Sequence, residues 1–181
     1  NQVEWVEVFA DQELILPKTQ LMGHSLRQVR LDEPAQNVSQ VVIKTYPDGG
    51  LSRVGLFAEL PSEVALQFKP NRDAENIRFT HDIEVFKKVY QARDLTLDYP
   101  IAHPNYTSAE LGASILKTGD EHYSYTVNVL SNIKPIGMFD GFESKRSREA
   151  GHSEEVIIQL GQKINPHCLR FDFTYFVNNN P

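Results

Sequence analysis

Between Asp140 and His152 the chain crowds carboxylates, three cations and a histidine into one short stretch, Asp140-Gly141-Phe142-Glu143-Ser144-Lys145-Arg146-Ser147-Arg148-Glu149-Ala150-Gly151-His152. These are the parts a site for a small carboxylate solute needs. Arginine offers a planar, bidentate grip on a carboxylate, and a nearby Glu or His can carry a proton. The same residues also read as a solvated charged loop whose members pair with one another. Asp-Gly and Ala-Gly-His bracket the charges with special backbone positions, and Phe142 interrupts them as an anchor would. A second stretch, Tyr46-Pro47-Asp48-Gly49-Gly50-Leu51-Ser52-Arg53, puts Asp48 and Arg53 on either side of a turn signal. It reads either as a hairpin with a surface arginine or as a second wall of the same site.

A third stretch, Asp120-Glu121-His122-Tyr123 followed by Asn128, holds possible metal ligands, but no second cluster with ligand spacing supports it. No metal or other cofactor is therefore expected. His24, His81, His103 and His167 are isolated, and Cys168 has no partner that would make it a nucleophile. Nucleophile-elbow, phosphate-loop and dinucleotide signatures are missing. The formal net charge is −6 with a pI near 5.5 and no basic stripe, so nucleic acid is not the expected partner. No apolar run approaches the roughly 20 residues of a membrane span, and no stretch with the layout of a signal peptide opens the sequence. The expectation is a cytoplasmic protein with no membrane partner.

The elements that must position these residues have period two. Val3 to Val8, Ser39 to Tyr46, Glu155 to Leu160 and Leu169 to Phe176 are β-branched or aromatic runs of strand length, bounded by Gly, Pro, Asn or Asp. Pro47-Asp48-Gly49-Gly50 predicts a tight hairpin, with Leu51 to Phe57 as its returning strand. Glu149 to His152 predicts a loop before the next strand. This spacing favours an all-β fold, an antiparallel jelly roll or β-sandwich. Residues 61–110 differ, with four prolines and more charge, and read as a long connector in which 82–90 is a short amphipathic helix or an exposed strand, the helix being the reading adopted.

At this level of detail the motifs resemble the allantoicase repeat. That family reads Asp-Gly-Trp-Glu-Thr, a basic run, Pro-Gly-His, a hydrophobic strand and Leu-Gly. Here the counterparts are Asp140-Gly141-Phe142-Glu143-Ser144, Lys145 to Arg148, Gly151-His152, Val156 to Gln159 and Leu160-Gly161. Gly112 through Asn128-Val129-Leu130 resembles the family's entry segment, and downstream Asp172, Phe176, Asn179 and Pro181 fit its Asp-Thr…Phe…Gly-Asn…Pro stretch. Trp5 to Val8 and Val41 to Phe57, with Tyr46-Pro47-Asp48-Gly49-Gly50 and Arg53, resemble the second half of a repeat. Phe142 replaces the usual Trp, and Glu149-Ala150 stands where Pro is usual before Gly-His.

The halves come in reversed order. Residues 1–60 resemble the closing half of a first repeat, residues 61–110 connect, and residues 111–181 resemble the opening half of a second. The expectation is two incomplete galactose-binding-like units with raw sheet edges. Further sequence on either side, or a second copy in a homo-oligomer, would complete them. The resemblance implies hydrolysis of allantoate to ureidoglycolate and urea in purine breakdown, on a small anionic ureide. By chemical type, Lys145, Arg146 and Arg148 would hold the carboxylate, and Glu143 would accept ureido N–H groups or carry the proton. His152 or His122 would be the other acid/base, with Asp140, Asp48 and Arg53 lining the same pocket. A non-catalytic jelly-roll module binding a small ligand or carbohydrate is the alternative.

Overall fold

The expected β-runs assemble across the whole length of the chain rather than within each half. In the computed structural model, which describes residues 3–58 and 104–177, eleven strands form three antiparallel sheets. β1 (Val3–Ala10), β2 (Glu13–Gln20), β4 (Val38–Pro47), β7 (Ser114–Lys117) and β10 (Glu154–Ile164) make a five-stranded sheet in the order β2-β1-β4-β10-β7. β3 (Leu26–Arg30), β11 (Pro166–Asp172) and β6 (Arg53–Ala58) make a second sheet, β3-β11-β6. A third joins β5 (Gly50–Leu51), β9 (Phe142–Ser144) and β8 (Glu121–Ser124) in the order β5-β9-β8. Single 3-10 turns at Ala109–Leu111, Thr126–Leu130 and Met138–Asp140 link the later strands. Among the described residues no helix is long and apolar enough to cross a membrane.

The period-two pattern does the sorting. On β10 the residues Val156, Ile158 and Leu160 turn inward while Glu155, Ile157 and Gln159 are only partly covered. On β4 the inward row is Val41, Ile43 and Thr45. Except for Thr45, these side chains join Val6 and Val8 of β1 and Leu56, Leu169 and Phe171 of the second sheet in a single core cluster, an arrangement consistent with a β-sandwich. Burying each aliphatic side chain is worth about 1.5–3 kcal/mol, so register is strongly fixed wherever one face meets this core.

Two expectations change. The first concerns the open edges. β10 lies beside β4 with Val156 opposite Ile43 and Ile158 opposite Val41; β11 pairs with β6, and β9 with β5. Residues before and after the 61–110 stretch thus complete one another's sheets, because each supplies the strand edge the other leaves unpaired. The second concerns the predicted hairpin. β4 and β6 are not partners: the chain leaves one sheet at Pro47 and enters the others at Gly50 and Arg53. The turn's polar groups bond to β9 instead of closing a hairpin. The Gly49 N–H donates to Ser144 Oγ at 3.0 Å, and Ser144 N–H donates to Gly49 O at 3.0 Å. Gly50 is needed there for space, since a Cβ would run into the Phe176 ring. Ser52 marks the step between β5 and β6, its N–H donating to Asp172 O at 2.8 Å and its hydroxyl to Thr174 O at 2.5 Å. The short helix expected near 82–90 lies outside the described residues.

Candidate functional site

Glu143 is the middle residue of β9, the central strand of the smallest sheet, with Gly50 and Ser124 as its register partners. Phe142 and Ser144 on either side are buried, and alternation leaves Glu143 half-buried on the opposite face. Phe142 belongs to the core cluster, so it does act as the anchor its position suggested. Burial pushes the Glu143 carboxyl above its ordinary range, and nearby His122 is one of the weaker influences that oppose it. A carboxyl poised upward by desolvation is suited to moving a proton. His122 lies on the exposed strand β8, its ring edge-on to Tyr123 with centroids 4.3 Å apart.

The basic run follows directly. Lys145, Arg146 and Arg148 are exposed, and none is ion-paired within the described residues. The loop is not the self-paired surface that its charges alone allow. Its backbone, by contrast, is tied down. Asp48 is buried in the corner after β4, and its Oδ2 accepts the Ser147 N–H at 2.7 Å. The Lys145 N–H donates to Asp120 O at 3.3 Å. Three cationic side chains therefore stand in water on a backbone fixed from two sides, an arrangement that can meet an anion without first breaking internal pairs.

His152 closes the stretch. Its Nε2 lies 2.8 Å from Glu154 Oε1, and Glu154 Oε2 accepts the Asp120 N–H at 3.0 Å. The Asp120 backbone thus touches the basic run through its carbonyl and the histidine's partner through its amide. Lys145, Asp120, Glu154 and His152 form one linked group. Sequence reasoning missed Glu154. Its signal was present: it occupies the inward row of β10 with Val156 and Ile158, where a carboxylate is costly unless it has work to do.

Arg53 and Asp140, expected to line the pocket, are buried and paired with one another. They are 6% and 0% exposed and face one another, Arg53 Nη2 lying 2.7 Å from Asp140 Oδ2. Arg53 Nε donates to Ile133 O at 2.7 Å and Nη1 to Ser52 O at 2.7 Å, with a further bond from Nη1 to the Asp140 carbonyl. Asp140 Oδ2 also accepts the Ile136 N–H at 3.0 Å. The pair braces the corner on which β6 and β9 begin. Losing one partner of such a buried pair strands a charge and costs about 3–5 kcal/mol. Asp48 likewise acts on the loop, through Ser147, from a buried position. Asn128 is buried too and holds the Gly141 carbonyl through Nδ2 at 2.9 Å. Among the described residues no group of three or more His, Cys, Asp or Glu side chains is placed to hold a metal ion. Cys168 is buried on β11.

Comparison with known proteins follows the same lines. The allantoicase repeat family matches residues 104–181. A probable allantoicase of Schizosaccharomyces pombe is 30% identical over 169 residues, covering 92% of this chain and 40% of that protein. The allantoicase of Saccharomyces cerevisiae is 26% identical over 148 residues, covering 81% of this chain and 34% of its own length. A probable allantoicase of Pseudomonas syringae pv. syringae is 25% identical over 167 residues, with 92% and 40% covered. The chain thus spans about 40% of the length of the curated relatives it matches. No solved structure matches it. The repeat match lies on the very strands that carry Glu143, the basic run and His152, and these relatives match across both halves, so residues 104–181 carry an allantoicase repeat and the chain is similar to part of an allantoicase.

Proposed function

We propose that the chain provides the solute-binding and proton-moving face of a cytoplasmic hydrolase that converts allantoate and water to ureidoglycolate and urea. The observation that carries this reading is an exposed cationic run, free of ion pairs among the described residues, next to a partly desolvated carboxyl on one braced backbone. Allantoate presents one carboxylate and two ureido groups on a single carbon. The carboxylate is the ligand that Lys145, Arg146 and Arg148 suit as charge-assisted donors. In the reaction one bond from the central carbon to a ureido nitrogen breaks and one carbon–oxygen bond forms. Water supplies the hydroxyl to carbon and a proton to the departing nitrogen. Glu143 and His152, with His122 beside Glu143, are the groups available to take and return that proton.

A urea-release assay on purified protein with allantoate tests the reading. Turnover is expected, and Glu143→Gln should lower kcat/KM by roughly a hundredfold, in the range that acid–base groups contribute. Thermal stabilisation by allantoate with no urea released would instead favour a ligand-binding module. Unchanged kinetics in Glu143→Gln would take Glu143 out of the chemistry.

A further inference from the structure

We infer that Glu154 is a positioning residue that fixes which nitrogen of His152 exchanges protons with a bound solute. The inference deepens the proposed function and rests on His152 being an acid/base group of that site.

Both oxygens of Glu154 are committed. Oε2 accepts the Asp120 amide N–H at 3.0 Å, and Oε1 lies 2.8 Å from His152 Nε2. The side chain is 9% exposed, while that of His152 is 26% exposed. An ionised carboxylate can only accept, so a neutral His152 must carry its proton on Nε2 to fill this contact. Nδ1 then keeps the lone pair. No described residue bonds to Nδ1, which leaves it available as a proton acceptor.

The chain makes room for this arrangement. Glu154 is the first residue of β10 on its inward row, so the strand that fixes Val156 and Ile158 in the core also fixes the carboxylate. A Cβ at Gly119 would collide with Glu154 Oε2, so a residue without one lets the preceding turn bring the Asp120 amide up to that oxygen. This logic parallels the orientation of a catalytic imidazole by a buried carboxylate, with the backbone amide in turn orienting the carboxylate.

Glu154→Gln gives a directional test. Asp120 N–H is an obligate donor, so the glutamine oxygen must face it and the amide NH2 must face His152. His152 Nε2 then has to accept, and the ring proton moves to Nδ1. Nitrogen NMR of the imidazole, recorded at about pH 8.5 where an ordinary histidine is neutral, reads the tautomer directly. The expected result is Nε2–H in the natural chain and Nδ1–H in Glu154→Gln, with unchanged circular dichroism. The same tautomer in both proteins would overturn the assignment. Should Glu154→Gln not fold, the natural chain carries the test alone: Nδ1–H there would overturn the assignment, and Nε2–H with a slowly exchanging ring proton would uphold it.

Turnover supplies the second arm. For allantoate, kcat in Glu154→Gln should fall by roughly a hundredfold, with KM changed less than about threefold. Reversal of the tautomer with undiminished kcat would show that the proton goes through another group and would overturn the positioning role. The tautomer experiment needs no substrate, so its failure is distinguishable from failure of the allantoate reading, which would appear as no urea release from the natural chain.

Discussion

Glu143 ties the proposed chemistry to the cost of keeping the site. Its folded-state pKa is raised by burial, so ionisation is harder in the native protein than in the unfolded chain. The sign follows from linkage. A raised folded pKa contributes stability that is fully present below the unfolded value and is lost as pH climbs through the folded value. At neutral pH the native chain therefore carries a penalty that an uncharged amide would not. Glu143→Gln is expected to unfold at a higher denaturant midpoint than the natural chain at pH 7, with the gap closing as pH falls below about 4, the ordinary carboxylate range. A variant that is more stable yet less active marks a residue kept for function. Equal midpoints at pH 7 would indicate that the carboxylate is not desolvated. At this scale the sequence was partly legible. Glu143, the basic run and His152 could be picked out as candidates from residue type and crowding. Arg53 and Asp140 could not be separated from them, because a buried, mutually satisfied pair and an open binding pair use the same letters. Burial alone distinguishes them.

The corner after β4 shows how an element can be mistaken while its residues are read correctly. Pro47-Asp48-Gly49-Gly50 carries every feature of a hairpin turn, and the glycines are needed. What local sequence cannot contain is the partner. Ser144 and Ser147, 95 and 99 positions away, take the corner's hydrogen bonds and turn it into a joint between sheets. The longer inward-facing strands β1, β4 and β10 were legible because alternation survives where one face is buried. β2 and β3 were not, since their side chains are mostly exposed and edge position leaves no clean pattern. The joint is also vulnerable. A methyl group at Gly50 would meet the Phe176 ring, whose own backbone carbonyl accepts the His24 N–H at 3.1 Å. Gly50→Ala should cost on the order of 1–3 kcal/mol, as overpacking does in tight cores, measured by chemical denaturation. It should also disturb the amide resonances of Glu143, the register partner of Gly50. An unperturbed spectrum with full stability would show that the ring moves aside freely.

For the whole molecule, the arrangement of strands means that residues 3–58 and 104–177 are halves of one cooperative unit. β4–β10, β6–β11 and β5–β9 are the seams, and the core cluster draws on both sides of each. A protein cleaved by protease between residues 59 and 103 is expected to remain together in non-denaturing size exclusion and to separate only when unfolded. Elution of two independent fragments would mean that the seams do not hold without the covalent link. The sequence offered two motif-bearing stretches and, between them, a segment read as a connector. It did not show that the stretches meet, because a reversed order of motifs is equally compatible with halves that complete one another and with halves that wait for other partners.

The bond from Ser147 to Asp48 has a kinetic side. It lies between parts of the chain that are synthesised far apart, as do the Gly49–Ser144 bonds beside it. Contacts of such long sequence separation form only after a large loop has been closed, which slows folding and places them late in the process. The cationic run can be tethered, and Glu143 shielded on its strand, only when the two ends of the chain have already docked. An emerging or half-folded chain therefore displays the charges of the candidate site without their geometry, and the proposed competence for ligand arrives in one step with the native fold.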